Sequence, residues 1–398
     1  MKRILFVEDS DLIREMYELI LSNERGRWEV RTAADGPAAL ALLRASAFDV
    51  VASDMRMPGM DGIELLKEVA RLYPQTARVI ISGLGDQGFV ADALGSIHQF
   101  LVKPVQIDTL KATLVRLTGL DAYLKDEKLK TLAGRIGVLP SFPSLYLEIM
   151  QAIESPDASL KSIADLIIKD PGIAAKLLQV VNSTAFGLPE RVHDPVAAVQ
   201  QLGLNTIRSV ALSSQVFANF APSQMNHFSA DTLWTHLMNC GQIARVIMRS
   251  EGARAAEIED AFTAGILHDI GKLMLAHSLP REFQEALSLA DSRRAPLHEV
   301  ELEIFGATHA GLAAYLLGLW GLPAPIVEAV AFHHIPERGA SAGVSPLAAV
   351  HVANALEHEL AGEPSHISAA YLAQANLAHR LPAWREEVAR LHESPSAP

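Results

Sequence analysis

Five side chains in the first part of the chain are of the types that phosphoryl chemistry uses: Glu8, Asp9, Asp54, Ser82 and Lys103. Carboxylates brought together repel one another and need a cation. Hard oxygen donors of this kind suit Mg²⁺, which keeps several of its waters. Such an ion neutralises phosphate oxygens during transfer. A carboxylate beside it, Asp54, can attack an incoming phosphorus and become an acyl phosphate. Lys103 can then pair with one phosphate oxygen, and the Ser82 hydroxyl can donate to another. A second group lies further on: His236, the adjacent His268 and Asp269, His309, and the adjacent His333 and His334. Imidazole and carboxylate donors suit divalent transition metals, singly or as mixed dinuclear sites. A water on such a metal becomes a nucleophile for phosphoester hydrolysis.

For the first group to meet, the intervening chain must return repeatedly to one edge. Short apolar runs at 3–7, 28–32, 49–53, 79–82 and 100–102 alternate with helical patterns at 11–21, 37–43 and 62–70. That alternation predicts an α/β unit, a doubly wound five-stranded parallel sheet covered on both faces. Such sheets carry their sites at the carboxyl ends of the strands. Glu8 and Asp9 end the first strand, Asp54 the third, Ser82 the fourth, and Lys103 follows the fifth. Asp49 and Asp61 read as cap or turn formers.

Beyond Thr131 no strand pattern stands out, and an all-α unit is expected. Asp170-Pro171 and Asp194-Pro195 each offer a capping carboxylate followed by proline at the first helical position. The second of these helices stops at Gly203, and Asn205 can cap the next. A last pair of helices is predicted over 346–360 and 367–391, before a frayed tail. The domain plan is therefore 1–120, a charged linker helix over 121–131, a helical domain over 132–345, and C-terminal helices with a tail over 346–398.

The chain has 398 residues, 49% hydrophobic and 20% charged, which favours sizeable buried cores over disorder. A net charge of -12 without a long Lys/Arg run argues against nucleic acid as a partner. The single cysteine, Cys240, excludes an intramolecular disulfide framework and fits a reducing cytoplasm; its apolar neighbours Leu237 and Ile243 make a buried inert thiol the default. No secretory signal is read at the start, and the apolar 312–332 region is broken by Pro323 and Pro325, so two buried helices are expected there and no membrane span.

Val7-Glu8-Asp9, the run from Ser53-Asp54-Met55-Arg56-Met57-Pro58 to Gly62, Ile81-Ser82-Gly83 and Phe100-Leu101-Val102-Lys103-Pro104 together resemble the receiver domains of bacterial two-component systems. The resemblance implies that Asp54 is the phosphoacceptor and that a histidine kinase is the donor. It implies Mg²⁺ on Asp9, Asp54 and the backbone carbonyl of Arg56, with Glu8 helping through water. It also implies a cis peptide before Pro104 and a switch role for the aromatic at Phe100.

Leu267-His268-Asp269-Ile270-Gly271-Lys272 resembles the signature of the HD phosphohydrolase superfamily, with His236 matching its first histidine. That family ends on an aspartate where this chain reads Ala353-Asn354-Ala355, and the lost charge should weaken metal binding. A closer resemblance is to the HDOD domain, an HD-related helical output module. It rests on Leu139-Pro140-Ser141-Phe142-Pro143, Lys169-Asp170-Pro171-Gly172, the Val181-Asn182-Ser183 run to Gly187, Ala198-Val199-Gln200-Gln201-Leu202-Gly203 and the His268-Asp269 motif. The cyclic di-GMP phosphodiesterases of the HD-GYP type share the histidine layout, but their Gly-Tyr-Pro element is missing after His333-His334.

These resemblances imply a phosphorelay response regulator whose non-catalytic HDOD module binds a downstream signalling protein, with a homodimer compatible. The alternative is a receiver-controlled, metal-dependent phosphohydrolase or cyclic-nucleotide phosphodiesterase. Its ligands would be His236, His268, Asp269, His309, His333 and His334. Buried remnants of an ancestral site, or a metal held without turnover, are the other readings of the histidines.

Overall fold

Five apolar runs pair as parallel strands because each has helices on both sides to bury it. In the computed structural model they are β1 (Lys2–Val7), β2 (Trp28–Ala33), β3 (Val50–Asp54), β4 (Ala77–Ser82) and β5 (Gln99–Val102), in the order β2-β1-β3-β4-β5. The structure describes residues 2–22, 27–83, 97–123, 127–136, 148–150, 152–153, 159–168, 170–182, 192–219 and 228–393. The chain divides into two units, 1–144 with 315–322, and 145–314 with 323–398.

In the first unit the sheet is flanked by α1 (Asp11–Ser22), α2 (Gly36–Ala45), α3 (Gly62–Leu72) and α4 (Ile107–Tyr123). Successive strand residues point to opposite faces. Leu5, Val7 and Val51 therefore pack with Ala39 and Leu43 of α2 and Leu65, Leu66 and Val69 of α3. From the alternate position, Phe6 stacks on Tyr17 of α1 with ring centroids 4.4 Å apart. Each such fully buried side chain contributes about 1.5–3 kcal/mol.

Register then delivers the site. Val7 pairs with Ser53, Asp54 with Ile81, and Ser82 with Val102, so the carboxyl ends of β1, β3, β4 and β5 share one edge. Asp61 is the cap its position suggested: its Oδ1 accepts from Glu64 N–H at 2.8 Å in a reciprocal capping box on α3. Asp49 accepts from Lys2 Nζ at 2.8 Å and from Arg3 N–H at 2.7 Å. The expected linker helix is divided between the end of α4 and α5 (Glu127–Ile136), with 124–126 outside the described residues.

The second unit is helical, and no strand element follows β5 among the described residues. It contains α6 (Leu160–Ile168), α7 (Pro171–Val181) and α8 (Pro195–Asn219). Then come α9 (Ala230–Ser250), α10 (Ala255–Leu267), α11 (Ile270–Ser278), α12 (Pro280–Arg293) and α13 (Leu297–Ile304). Next are α14 (His309–Leu319), whose residues from Tyr315 onward belong to the first unit, α15 (Ala324–Phe332) and α16 (Pro346–Leu360). Asp170 caps α7 through Ile173 N–H at 3.1 Å, and Asp194 caps α8 through Val196 N–H at 3.1 Å. Gly203 interrupts α8 with φ 74° and ψ 158°, a backbone state that glycine adopts without strain.

The chain after α16 differs from the single helix expected over 367–391. It forms α17 (Ala369–Gln374), a short 3-10 turn and α18 (Leu381–Glu393), and Asn376 sits between them at φ 58°. Asparagine tolerates that left-handed state, so it ends a helix without a glycine to advertise it. No single helix among the described residues is long and apolar enough to cross a membrane.

Candidate functional site

The strand ends bring four of the five predicted residues into one acidic pocket. Lys103 Nζ lies 2.9 Å from Asp54 Oδ1 and 3.0 Å from Glu8 Oε2. Glu8, Asp9 and Asp54 each offer an oxygen within 4.8 Å of the others. Asp9 is exposed, whereas Glu8 and Asp54 are buried. Asp54 Oδ1 also accepts from Met55 N–H at 2.9 Å, which fixes the carboxylate's orientation. Burial pushes the Glu8 carboxyl above its usual value, against the lowering hydrogen bond from Lys103. Burial works against the Lys103 charge too, but Asp54 and Glu8 outweigh it and hold the ammonium above its usual value.

The buried Ser82 hydroxyl points to Met55 Sδ at 3.1 Å and to the Gly83 carbonyl at 3.3 Å, so a phosphate contact would require it to rotate. Its carbonyl accepts from Lys103 N–H at 2.7 Å, tying β4 to the lysine. The Lys103–Pro104 peptide is cis. Arg56 follows β3 with its side chain exposed. Phe100 lies in β5, but its side chain is outside the described residues.

The second group assembles around one carboxylate. His236 is on α9, His268 is the C-cap of α10, Asp269 precedes α11, His309 begins α14 and His333 is the C-cap of α15. Asp269 Oδ2 lies 3.7 Å from His236 Nε2 and 3.5 Å from His268 Nε2. Asp269 Oδ1 lies 2.9 Å from His309 Nε2 and 3.5 Å from His333 Nε2. His334 joins through its Nε2, 3.0 Å from His309 Nε2. A glycine makes this possible: a Cβ on Gly271 would stand 2.0 Å from the His309 carbonyl oxygen.

The outer nitrogens are all engaged. His236 Nδ1 meets Glu357 Oε2 at 2.5 Å, and His309 Nδ1 meets Glu301 Oε2 at 2.6 Å. His268 Nδ1 meets the Gly265 carbonyl at 2.7 Å, and His333 Nδ1 meets the Val330 carbonyl at 2.9 Å. Each partner is an acceptor, so each Nδ1–H donates, and Nε2 is the atom that each ring turns toward Asp269. Four Nε2 atoms thus converge on Asp269, the arrangement that metal-ligating histidines adopt. Asp269 Oδ1, His333 Nε2 and Asn354 Oδ1 are buried without an aligned hydrogen-bond partner. Lys272 pairs with Asp269 Oδ2. Burial disfavours charge on His309, but Glu301 and Asp269 raise its pKa to about 9. Burial also opposes a charge on His236, yet Cys240, Glu357 and Asp269 raise it. His268 and His334 are held well below the ordinary histidine value, first by burial and then by neighbouring imidazoles.

Two family models match the chain: the response regulator receiver domain over residues 4–115 and the HDOD domain over 139–336. The Bacillus subtilis chemotaxis protein CheY is 36% identical over 107 residues, 27% of this chain and 88% of that protein. The chain belongs to the response-regulator receiver family and carries an HDOD domain. An uncharacterized protein of Treponema pallidum is 30% identical over 204 residues, 51% of this chain. This response regulator spans 39% of the length of that relative and 44% of a Xanthomonas oryzae protein-glutamate methylesterase/protein-glutamine glutaminase. A crystal structure of an HDOD domain protein of unknown function from Geobacter sulfurreducens superposes with TM-score 0.55 at 22% identity. It covers 69% of this chain and 95% of that one, a likeness of fold.

Several HDOD and receiver residues had no signal in the sequence reading. Glu301 and Glu357 orient His309 and His236, but each is one glutamate among many on helical surfaces. Asn354 is buried on α16, and Glu357, one turn later, supplies a carboxylate on His236 instead. Arg14 of α1 donates through Nη1 to the Glu8 carbonyl at 2.5 Å and to the Asp9 carbonyl at 2.9 Å, fixing the acidic turn. Cys240 is not simply packed among aliphatic groups: its Sγ lies 3.7 Å from His236 Nε2. Residues 139–143, Lys169 and 183–187 of the HDOD motifs lie outside the described residues.

Proposed function

We propose that Asp54 accepts a phosphoryl group from a histidine kinase and that this event controls the HDOD module, which acts by binding a downstream signalling protein. The observation that carries the input half is the Lys103 ammonium held between Glu8 and Asp54, with Asp9 within reach. The donor set of carboxylate oxygens fits Mg²⁺, which Asp9, Asp54 and the Arg56 carbonyl would hold with Glu8 behind. When bound, the ion supplies neutralisation of phosphate oxygens. Met55 N–H and Lys103 orient the Asp54 carboxylate for attack; an oxygen–phosphorus bond forms as the bond to the donor breaks, and Lys103 then pairs with a phosphate oxygen. The added charge biases a two-state element built from Ser82, Lys103 and Phe100. Acetyl phosphate labelling tests the input: wild type should label in Mg²⁺, while Asp54→Asn or excess EDTA should abolish it. Full labelling of Asp54→Asn would remove the acceptor assignment.

A second reading concerns the HDOD cluster. Four Nδ1–H groups tied outward and four Nε2 atoms turned inward support a divalent transition metal there. Asn354 gives no carboxylate charge to the site, which favours a held metal over hydrolysis. Purified chain should contain stoichiometric metal without turning over cyclic dinucleotides or nucleotides. Turnover would instead make this the receiver-controlled phosphohydrolase.

A further inference from the structure

We infer that the HDOD cluster holds a single metal ion per chain, bound by Asp269 Oδ1, His309, His333 and His334, and that the half around His236 and His268 is closed by the protein's own groups. This rests on the metal reading just given and names the number of ions and their seat.

Asp269 divides the cluster between its two oxygens. Oδ2 faces His236 and His268, 3.7 Å and 3.5 Å from their Nε2 atoms. That oxygen already pairs with the Lys272 ammonium. His236 Nε2 and His268 Nε2 lie 3.3 Å apart and pair with each other, while His236 Nδ1 holds Glu357. An ion seated on Oδ2 would share that oxygen with an ammonium. Two cations so close repel strongly in a buried site, where water screens little. This half is satisfied without a metal.

Oδ1 has the opposite surroundings. It is buried without an aligned hydrogen-bond partner, and so is His333 Nε2, 3.5 Å away. His333 Nδ1 donates to the Val330 carbonyl, so the neutral ring keeps a lone pair at Nε2. A carboxylate oxygen and an imidazole lone pair thus face one another with no proton between them. Burying two such acceptors together is costly unless a cation joins them. His309 Nε2 lies 2.9 Å from Oδ1 and 3.0 Å from His334 Nε2. One donor atom from each of the four residues falls within 4.8 Å of all the others.

These separations suit one ion. Bonds of about 2.1 Å place neighbouring donors about 3.0 Å apart in an octahedron and about 3.4 Å apart in a tetrahedron. The three separations of 2.9, 3.0 and 3.5 Å span that range. Glu301 behind His309 and the Val330 carbonyl behind His333 fix those two rings from outside. One carboxylate with three imidazoles selects a divalent transition metal of zinc type over Mg²⁺. The proton that His309 and His334 share between their Nε2 atoms leaves to solvent as the ion enters. A lone ion cannot clamp both the attacking and the leaving oxygen of a phosphoester, as paired ions do. The module is thereby a metal-holding output rather than a two-metal hydrolase.

The full chain is stripped by chelator and reloaded with Zn²⁺ in excess Mg²⁺, which keeps the receiver's carboxylates occupied. After desalting, zinc is counted per chain. The expected result is one zinc in wild type and in His268→Ala, and close to none in His309→Ala and His333→Ala. Two zincs in wild type overturn the single-ion count and leave the metal reading standing. Zinc lost in His268→Ala but kept in His309→Ala moves the ion to the other half and overturns its seat alone. Absence of zinc from wild type overturns both. Zinc X-ray absorption of wild type decides the seat even where a variant does not fold: outer-shell scattering from three imidazoles supports it, and scattering from two or fewer overturns it.

Discussion

Lys103→Met isolates what one ammonium does for two carboxylates. Its Nζ lies 2.9 Å from Asp54 and 3.0 Å from Glu8, with the Glu8 side chain 3% exposed and the lysine 30% exposed. Removing one partner of a buried pair costs about 3–5 kcal/mol, because the other charge stays buried. Solvent screening of the partly exposed lysine reduces this, and a loss of about 2–3 kcal/mol is expected in EDTA. The Glu8 carboxyl, already raised by burial, should rise further without the hydrogen bond that lowers it. Mg²⁺ competes with the ammonium for the same oxygens, so the variant should bind Mg²⁺ at least about tenfold more tightly, a gain of ~1.4 kcal/mol. At a concentration a hundredfold above its Kd the variant gains about 2.7 kcal/mol while wild type gains about 1.4 kcal/mol, so Mg²⁺ closes about half of the deficit. Hydrogen exchange by mass spectrometry, read on β1 and β3 peptides with and without Mg²⁺, reports the receiver separately from the helical unit. Equal protection of variant and wild type in EDTA, or equal Mg²⁺ responses, would refute the shared-cation reasoning.

Other outcomes follow from the same geometry. Glu301→Gln loses the charge behind His309 Nδ1 and should weaken metal binding at the HDOD cluster by about 10–100-fold, measured by chelator competition. Gly271→Ala places a Cβ 2.0 Å from the His309 carbonyl oxygen. Moving α14 aside should cost about 1–3 kcal/mol in thermal unfolding, and metal content should fall with it. His98 is buried, and its Nδ1 accepts from Arg78 N–H at 3.1 Å; burial and the Arg78 cation hold its pKa well below the usual value. The unfolded chain therefore takes up a proton below about pH 6.5 that the folded chain refuses. This contribution to stability is complete above that pH and declines by up to ~1.4 kcal/mol per unit below it. Exchange protection of β4 should show that acid decline, and His98→Asn should flatten it.

The receiver was legible because its chemistry sits at strand ends, and strands declare themselves locally. Alternating apolar runs gave the sheet, and Glu8, Asp54 and Lys103 then had one place to meet. Gly203 and the Asp-Pro pairs at 170 and 194 were equally local signals. Asn376 was not, since asparagine breaks a helix only when its backbone turns left-handed. The HDOD cluster was half legible. The histidines stood out as rare residue types, but their Nδ1 partners did not: two are backbone carbonyls, which every sequence has, and two are glutamates 8 and 121 positions away. Cys240 was hidden by its neighbours. Leu237 and Ile243 advertise an apolar face, while the sulfur also touches the His236 ring one helical turn back.

His268 and His333 close α10 and α15 as their C-cap residues. The last carbonyls of a helix carry roughly half a negative charge, felt most strongly within the final turn. The helices that begin at Ile270 and His309 start at the same cluster, and their positive ends offset the two negative ones. The main chain there is thereby close to neutral, and the charge that draws a cation comes from the side chains of Asp269, Glu301 and Glu357. The helix ends set the shape of the site, and its polarity rests on three replaceable carboxylates.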